Sequence, residues 1–194
     1  MSHLAQFILS LSHDSSQVNE TNTIKRENMY SIEQADIIID LASQTLSLPK
    51  HNKFYTISTG LNGIGETENT GKTPRGWHRI EQKIGADAPS NAVFKARQMT
   101  GEIYSTEFGA ANPDRDWILT RILWLSGLED GFNKGEGCDT FNRYIYIHGT
   151  PESEPMGIPR SHGCIRMHTA PLEELFECVK EGDLVYLSEY KIEN

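Results

Sequence analysis

The sequence contains no apolar run near the roughly 18–20 residues that a membrane-spanning helix requires. Positive charge is also in short supply. Of 194 residues, 18 are Lys or Arg and 27 are Asp or Glu, for a formal net charge of −9. This excludes a nucleic-acid backbone as partner, because phosphate binding needs clustered basic side chains. Cysteine is scarce, limited to Cys138, Cys164 and Cys178. An odd count is a poor basis for a disulfide framework and suits reduced thiols in a cytosol. The N-terminal apolar stretch, residues 4–11, is short and is broken by Gln6 and Ser10. No Lys or Arg precedes it and no small-x-small site follows, so it makes a poor export signal. The expected location is the cytoplasm, with the periplasm as the alternative if this segment directs export.

What is present suits one soluble domain. Hydrophobic residues make up 37% and charged residues 23% of the chain, enough apolar content for a proper core at this length. Residues 1–30 are expected to be an N-terminal extension and residues 31–194 the folded domain. Within it, ADIIIDLASQTLSL reads as two short strands, residues 37–41 and 45–48, around an Ala-Ser-Gln turn. FYTIS and GWHRI, from residues 54 and 76, read as further strands, separated by a Gly-, Asn- and Thr-rich loop at 61–74. Residues 85–116 read as mixed loop with a helical turn at 92–98. WILTRILWL, residues 117–125, fits either period, and its β-branched content favours a strand. A glycine-rich surface loop at 127–139 follows. YIYI, residues 144–147, is a strand ending in His148-Gly149. Residues 170–180 form the best helix, with Thr169 as N-cap, Pro171 in the first turn and Leu172, Leu175, Phe176 and Val179 on one stripe. The fold class is therefore mostly β, with short strands, long loops and one or two short helices.

The chemistry concentrates in SHGCIRM, residues 161–167. Most free cysteines are buried hydrophobes, and Cys178, among Leu175, Phe176 and Val179, reads that way. Cys138 reads as an ordinary loop thiol. Cys164 differs. Gly163 lets the backbone approach a substrate and form an anion-binding nest, and His162 and Arg166 make an electropositive setting that favours thiolate. A thiol nucleophile needs a base. His148, at a strand end and separated from Cys164 by a loop that returns through Gly157 and Pro159, is well placed. His3, His13, His51, His78 and His168 read as structural or surface residues. Zinc held by His148, His162 and Cys164 is the rival reading. It is weakened by the one-residue gap between the last two, which is awkward for a tetrahedral centre.

HGTPESEPMGIPRSHGCIRM resembles the active-site signature of the L,D-transpeptidase catalytic domain: a strand-end histidine, a long loop, then Ser/Thr-His-Gly-Cys, a hydrophobic residue and Arg or Asn. His148 and Ser161-His162-Gly163-Cys164-Ile165-Arg166 match it throughout. ADIIIDLASQTLSL, FYTISTG, TPRGWHRI and RILWLSG also look like the family, so the resemblance covers about residues 35–187. It implies a β-sandwich or barrel and a thiol acyltransferase acting on peptidoglycan stems at the L-centre of meso-diaminopimelate before a terminal D-alanine. By the same resemblance Cys164 is the nucleophile and His148 the base, oriented by a backbone carbonyl, that of Gly149. The amides of His162, Gly163 and Cys164 hold the oxyanion, Arg166 binds a carboxylate or braces the Cys loop, and Ser161 and His162 line the pocket. No cofactor and no metal are implied. The partners are tetrapeptide stems or muropeptides, not nucleic acid or membrane. Cytoplasmic residence favours an L,D-carboxypeptidase in murein recycling. The alternatives are an L,D-transpeptidase making 3-3 cross-links or exchanging the terminal D-amino acid, and a non-catalytic murein-binding relative.

Overall fold

The computed structural model describes residues 30–192. The 4–11 stretch, His3, His13 and nearly all of the expected extension lie outside the described residues. Residues 32–194 form a compact unit that carries every element described below.

The first hairpin forms where alternation predicts it. β1 (Ile37–Asp40) and β2 (Thr45–Leu48) pair antiparallel with Ile38 opposite Ser47. Period-two spacing sends Ile37, Ile39, Leu46 and Leu48 into the main core. The Asp40 carboxylate fastens the turn by accepting from the amides of Ala42 and Ser43 at 2.9 and 2.8 Å. β3 (Lys53–Thr56) pairs with β2. β4 (Gly76–Ile84) runs four residues past the GWHRI segment that marks it, because it pairs along the long strand β7 (Ile118–Gly127). The ambiguous 117–125 segment is thus a strand. β10 (Leu184–Ser188) sits between β1 and β4, parallel to the first and antiparallel to the second.

The helical turn expected at residues 92–98 is instead a hairpin. β5 (Ala92–Lys95) and β6 (Gln98–Ile103) are joined by Ala96 and Arg97, both left-handed at φ 49° and 67°, as a two-residue type I′ turn requires. Burial on both faces explains the strand. Val93 packs with Trp117 and Leu119, whereas Ala92 and Phe94 pack with Ile122, Trp124 and Tyr146, a two-sided apolar run that a one-sided helix would not satisfy.

β8 (Tyr146–Gly149) begins two residues later than expected and pairs with β7 and β9 (Ile165–Met167). Among the described residues ten strands form one sheet in the order β3-β2-β1-β10-β4-β7-β5-β6, with β8 and β9 branching from β7. Two short α-helices among the described residues pack with it, α1 (Thr106–Ala110) and α2 (Thr169–Cys178). α2 buries Leu172, Leu175 and Phe176, the expected stripe. Its N-cap is His168, not Thr169. The Thr169 hydroxyl donates to Asn91 Oδ1 at 2.9 Å and lies 3.2 Å from Thr120 Oγ1, so it docks the helix on the sheet. The 127–139 segment is only partly a surface loop: Glu129 and Asn133 are buried, and Asn133 Nδ2 donates to the carbonyls of Arg75 and Trp77.

His78 is fully buried, with Nδ1 3.0 Å from Gly76 O and Nε2 2.9 Å from Thr140 Oγ1. Burial pushes its pKa down from 6.5 to about 4. The unfolded chain then binds more protons than the folded one between those values, so stability is lost as pH falls through that window. Urea unfolding across this range should show a loss from His78 on the order of 3 kcal/mol, and His78→Gln should flatten the slope. An equal slope in the variant would refute the assignment.

Candidate active site

The site begins with two short strands lying parallel. Ile147 pairs with Ile165, His148 with Arg166, and Gly149 with Met167. Side chains alternate along each strand. Ile147, Ile165 and Met167 enter the main core, while Tyr146 and Cys164 join the smaller cluster on the opposite side. His148 and Arg166 therefore share the face of Cys164, with His148 a diagonal neighbour across the ladder. A bulge between Leu119 and Ile122 of β7 adjusts the register against β8. At its centre Thr120 has φ 70°, an unusual conformation for a β-branched residue.

The imidazole of His148 is buried, with Nδ1 2.8 Å from the Gly149 carbonyl. A carbonyl only accepts, so Nδ1 carries the hydrogen and Nε2 keeps its lone pair. Position 149 must be glycine because a Cβ there would stand 2.4 Å from Leu119 O. Burial lowers the His148 pKa from 6.5 to about 4. Across the ladder, the Tyr146 amide donates to Cys164 Sγ at 3.4 Å, and the thiol donates to Tyr144 O at 3.3 Å.

The turn before Cys164 is held from three directions. Ser161 Oγ donates to Cys164 O at 2.5 Å and accepts from Gly163 N at 3.1 Å. Gly163 adopts φ 122°, a region open to glycine. Thr73 Oγ1 donates to the Gly163 carbonyl at 2.9 Å. Two expectations change here. Ser161 is 2% exposed and its hydroxyl is spent on the turn, so it does not line a pocket. The Gly163 amide is likewise occupied, whereas those of His162 and Cys164 have no hydrogen-bond partner among the described residues. The His162 side chain is exposed, with Nδ1 3.7 Å from Asp116 Oδ2.

Arg166 is buried. It donates from Nη2 to Asp116 Oδ1 at 2.6 Å and from Nη1 to Arg160 O at 3.5 Å, and Nη1 lies 3.7 Å from Glu154 Oε2. Its position braces the loop leading to the cysteine. The electropositive setting expected for Cys164 is not built, because Asp116 offsets Arg166. Burial and the Asp116 charge push the thiol up to about 11, against the opposing pull of the Tyr146 amide, Arg166 and Arg143. Burial thus favours the neutral form of both the thiol and the imidazole.

Asp116, Tyr144 and Tyr146 were not legible as site residues. Asp116 precedes the apolar WILTRILWL run, and nothing in its neighbours marks it. Among the remaining cysteines, Cys178 packs partly against the main core and receives Lys53 Nζ at 3.6 Å, and Cys138 faces Gly135 O at 3.7 Å. His168 bonds Glu154 O through Nε2 at 3.0 Å. Among the described residues no three His, Cys, Asp or Glu side chains gather as metal ligands.

The family model for YkuD, the L,D-transpeptidase catalytic domain, matches residues 34–187. The comparison with curated proteins finds no match. Among solved structures, the chain is similar to an L,D-transpeptidase of Enterococcus faecium (19% identity, TM-score 0.47, 81% of this chain and 50% of that one). It is also similar to one from Mycobacterium smegmatis (19%, 0.46, 79% and 59%) and one from Xylanimonas cellulosilytica (20%, 0.44, 78% and 59%). The chain thus spans between half and three fifths of the length of these structures, and the family match is what assigns it.

With Cys138 and Cys178 replaced by serine, alkylation of Cys164 by iodoacetamide should keep accelerating through about pH 9, as a raised thiol requires. A plateau below about pH 7 would instead reveal a resting thiolate–imidazolium pair. Asp116→Asn removes a charge that holds the thiol up, so the alkylation midpoint should move to lower pH. An unchanged or higher midpoint would contradict that coupling.

Proposed function

The chain belongs to the L,D-transpeptidase catalytic domain family, and from that premise we propose that it is a cysteine-dependent L,D-carboxypeptidase. Its substrate is a tetrapeptide stem containing meso-diaminopimelate, from which it removes the terminal D-alanine. The observation that carries the reading is the His148 Nδ1 to Gly149 O bond of 2.8 Å. It leaves Nε2 basic on the strand face that also bears Cys164.

The chemistry follows from that pair. As Cys164 Sγ attacks the carbonyl at the L-centre, its proton passes to His148 Nε2. The amides of His162 and Cys164 receive the developing oxyanion, a role suited to fixed donors in a dry site. Collapse breaks the C–N bond, and His148 returns its proton to the departing D-alanine amine. Water then attacks the thioester, losing a proton to the same nitrogen, and the tripeptide leaves as Cys164 regains its hydrogen. Because the resting thiol is neutral, proton transfer accompanies attack, which places the burden on His148 as general base.

Water as acceptor is part of the proposal. Hydrolysis needs one stem site, whereas cross-linking must dock a second carboxylate-bearing stem on a chain of net charge −9, with no long-range attraction to assist. A cytoplasmic role on soluble muropeptides in murein recycling belongs to the same reading, and cell fractionation tests it.

Incubation with disaccharide-tetrapeptide should remove one alanine by mass without forming dimer. A 3-3 dimer as main product would replace hydrolysis by transpeptidation, and binding without turnover would indicate a non-catalytic relative. Cys164→Ala should abolish product, and His148→Ala should lower the rate by about 10²–10⁴-fold. Activity surviving in Cys164→Ala would remove the nucleophile.

A further inference from the structure

Three arginines border the residues around Cys164 and differ in how they are engaged. Arg166 is buried against Asp116. Arg143 donates to the carbonyls of Gly65, Glu66 and Lys72, from Nη1 at 3.3 and 2.7 Å and from Nη2 at 2.5 Å. Arg97 has neither kind of partner. Its guanidinium carbon lies 4.8 Å from the centroids of both Trp124 and Tyr144, and Nη1 is 3.5 Å from Tyr146 Oη. Among the described residues no carboxylate pairs with it.

Its placement is built by the backbone. Arg97 is the second residue of the two-residue turn between β5 and β6, and its left-handed φ of 67° fixes the direction of the side chain. That turn carries it to the aromatic wall that also holds the thiol: Tyr144 accepts from Cys164 through its carbonyl, and Tyr146 donates to the sulfur through its amide. Trp124 is stacked on Phe141, with ring centroids 3.9 Å apart, and Tyr144 is 51% exposed. The guanidinium is thus stacked on rings that favour its charge while its fork is left without an anion. A planar, weakly hydrated cation held this way is suited to bidentate capture of a carboxylate.

We propose that Arg97 is a specificity-determining residue that binds a free carboxylate of the stem peptide against this aromatic wall. The inference rests on the stem-peptide reading above. Flanking the scissile bond the stem offers two such groups, the terminal carboxylate of the leaving residue and the side-chain carboxylate of diaminopimelate.

The test uses the full chain carrying Cys164→Ala, with calorimetric binding of three disaccharide-tetrapeptides: the free acid, the terminal carboxamide and the diaminopimelate carboxamide. Arg97→Gln should weaken the free acid about tenfold or more, the loss expected for a charge-assisted contact. It should leave unchanged whichever amide lacks the group that Arg97 reads, and this identifies the carboxylate. Arg97→Lys should recover only part of the affinity. With Cys164 restored, Arg97→Gln should raise KM and leave kcat within about twofold, the pattern of lost uniform binding. Equal weakening of all three ligands, or free-acid affinity indifferent to Arg97, would overturn the proposal. Arg97-dependent binding without turnover by the Cys164-bearing chain would sink the catalytic reading alone and leave Arg97 as a carboxylate receptor.

Discussion

Everything chemical in this molecule depends on the parallel pairing of β8 and β9. The strands have four and three residues, too few to persist alone. β8 is secured by β7 on its other side. β9 is secured by Ser58, which exchanges both backbone bonds with Arg166 at 3.0 and 2.8 Å. The loop between them is sewn to the same segment. Gly157 N bonds Ile57 O, Ser58 Oγ bonds Ile158 O, and the amides of Arg160 and Ser161 both reach Thr59 O, all within 2.8 Å. Thr59 is in turn fixed by the buried amide of Gln44, whose φ of 55° belongs to the β1–β2 turn. A long connection carries a closure entropy that must be offset. Here the 57–59 segment offsets it and ties the position of the thiol to the first hairpin of the domain.

Legibility in the sequence followed the range of the interactions. The β1–β2 hairpin, the β7 strand and the α2 stripe were readable because their cause is local: alternation, β-branching and helical spacing. A strand end and a His-Gly-Cys turn are local patterns too, and they single out His148 and Cys164, which the fold sets on one strand face. The β5–β6 hairpin was not, since its turn uses Ala96 and Arg97 in a conformation usually marked by Asn-Gly. Only its two-sided burial against Trp117 and Trp124 makes the segment a strand. Asp116, Tyr144 and Arg97 went unseen for the same reason: each matters through what the sheet places beside it. The diversion of the Gly163 amide to Ser161 Oγ is likewise a property of the folded turn.

The electrostatics were misread in sequence in an instructive way. Counting His162 and Arg166 as neighbours of Cys164 suggested a field that would ionise the thiol. In the fold, Arg166 sits in register with His148 on the adjacent strand, and Asp116 meets it there. A buried guanidinium without a counter-charge is costly, so the fold provides one, and that same carboxylate then raises the thiol. The charge that keeps Arg166 in place removes its advantage to the nucleophile.

This trade bears on how the site would handle a charged substrate. A neutral thiol and a neutral imidazole present no fixed charge to attract or repel a carboxylate at the reacting centre. Under the proposed reading, recognition of an anionic stem falls to cations that are not already engaged. Arg166 is bound to Asp116 and Arg143 to three carbonyls, both serving to hold loops in shape. Arg97 alone of the three is stabilised by ring faces, which hold a guanidinium without neutralising it. The domain therefore separates two uses of arginine around one cysteine. Where the backbone must be held, the guanidinium donors are spent on it or on a paired carboxylate. Where the β5–β6 turn reaches the aromatic wall, the charge is kept.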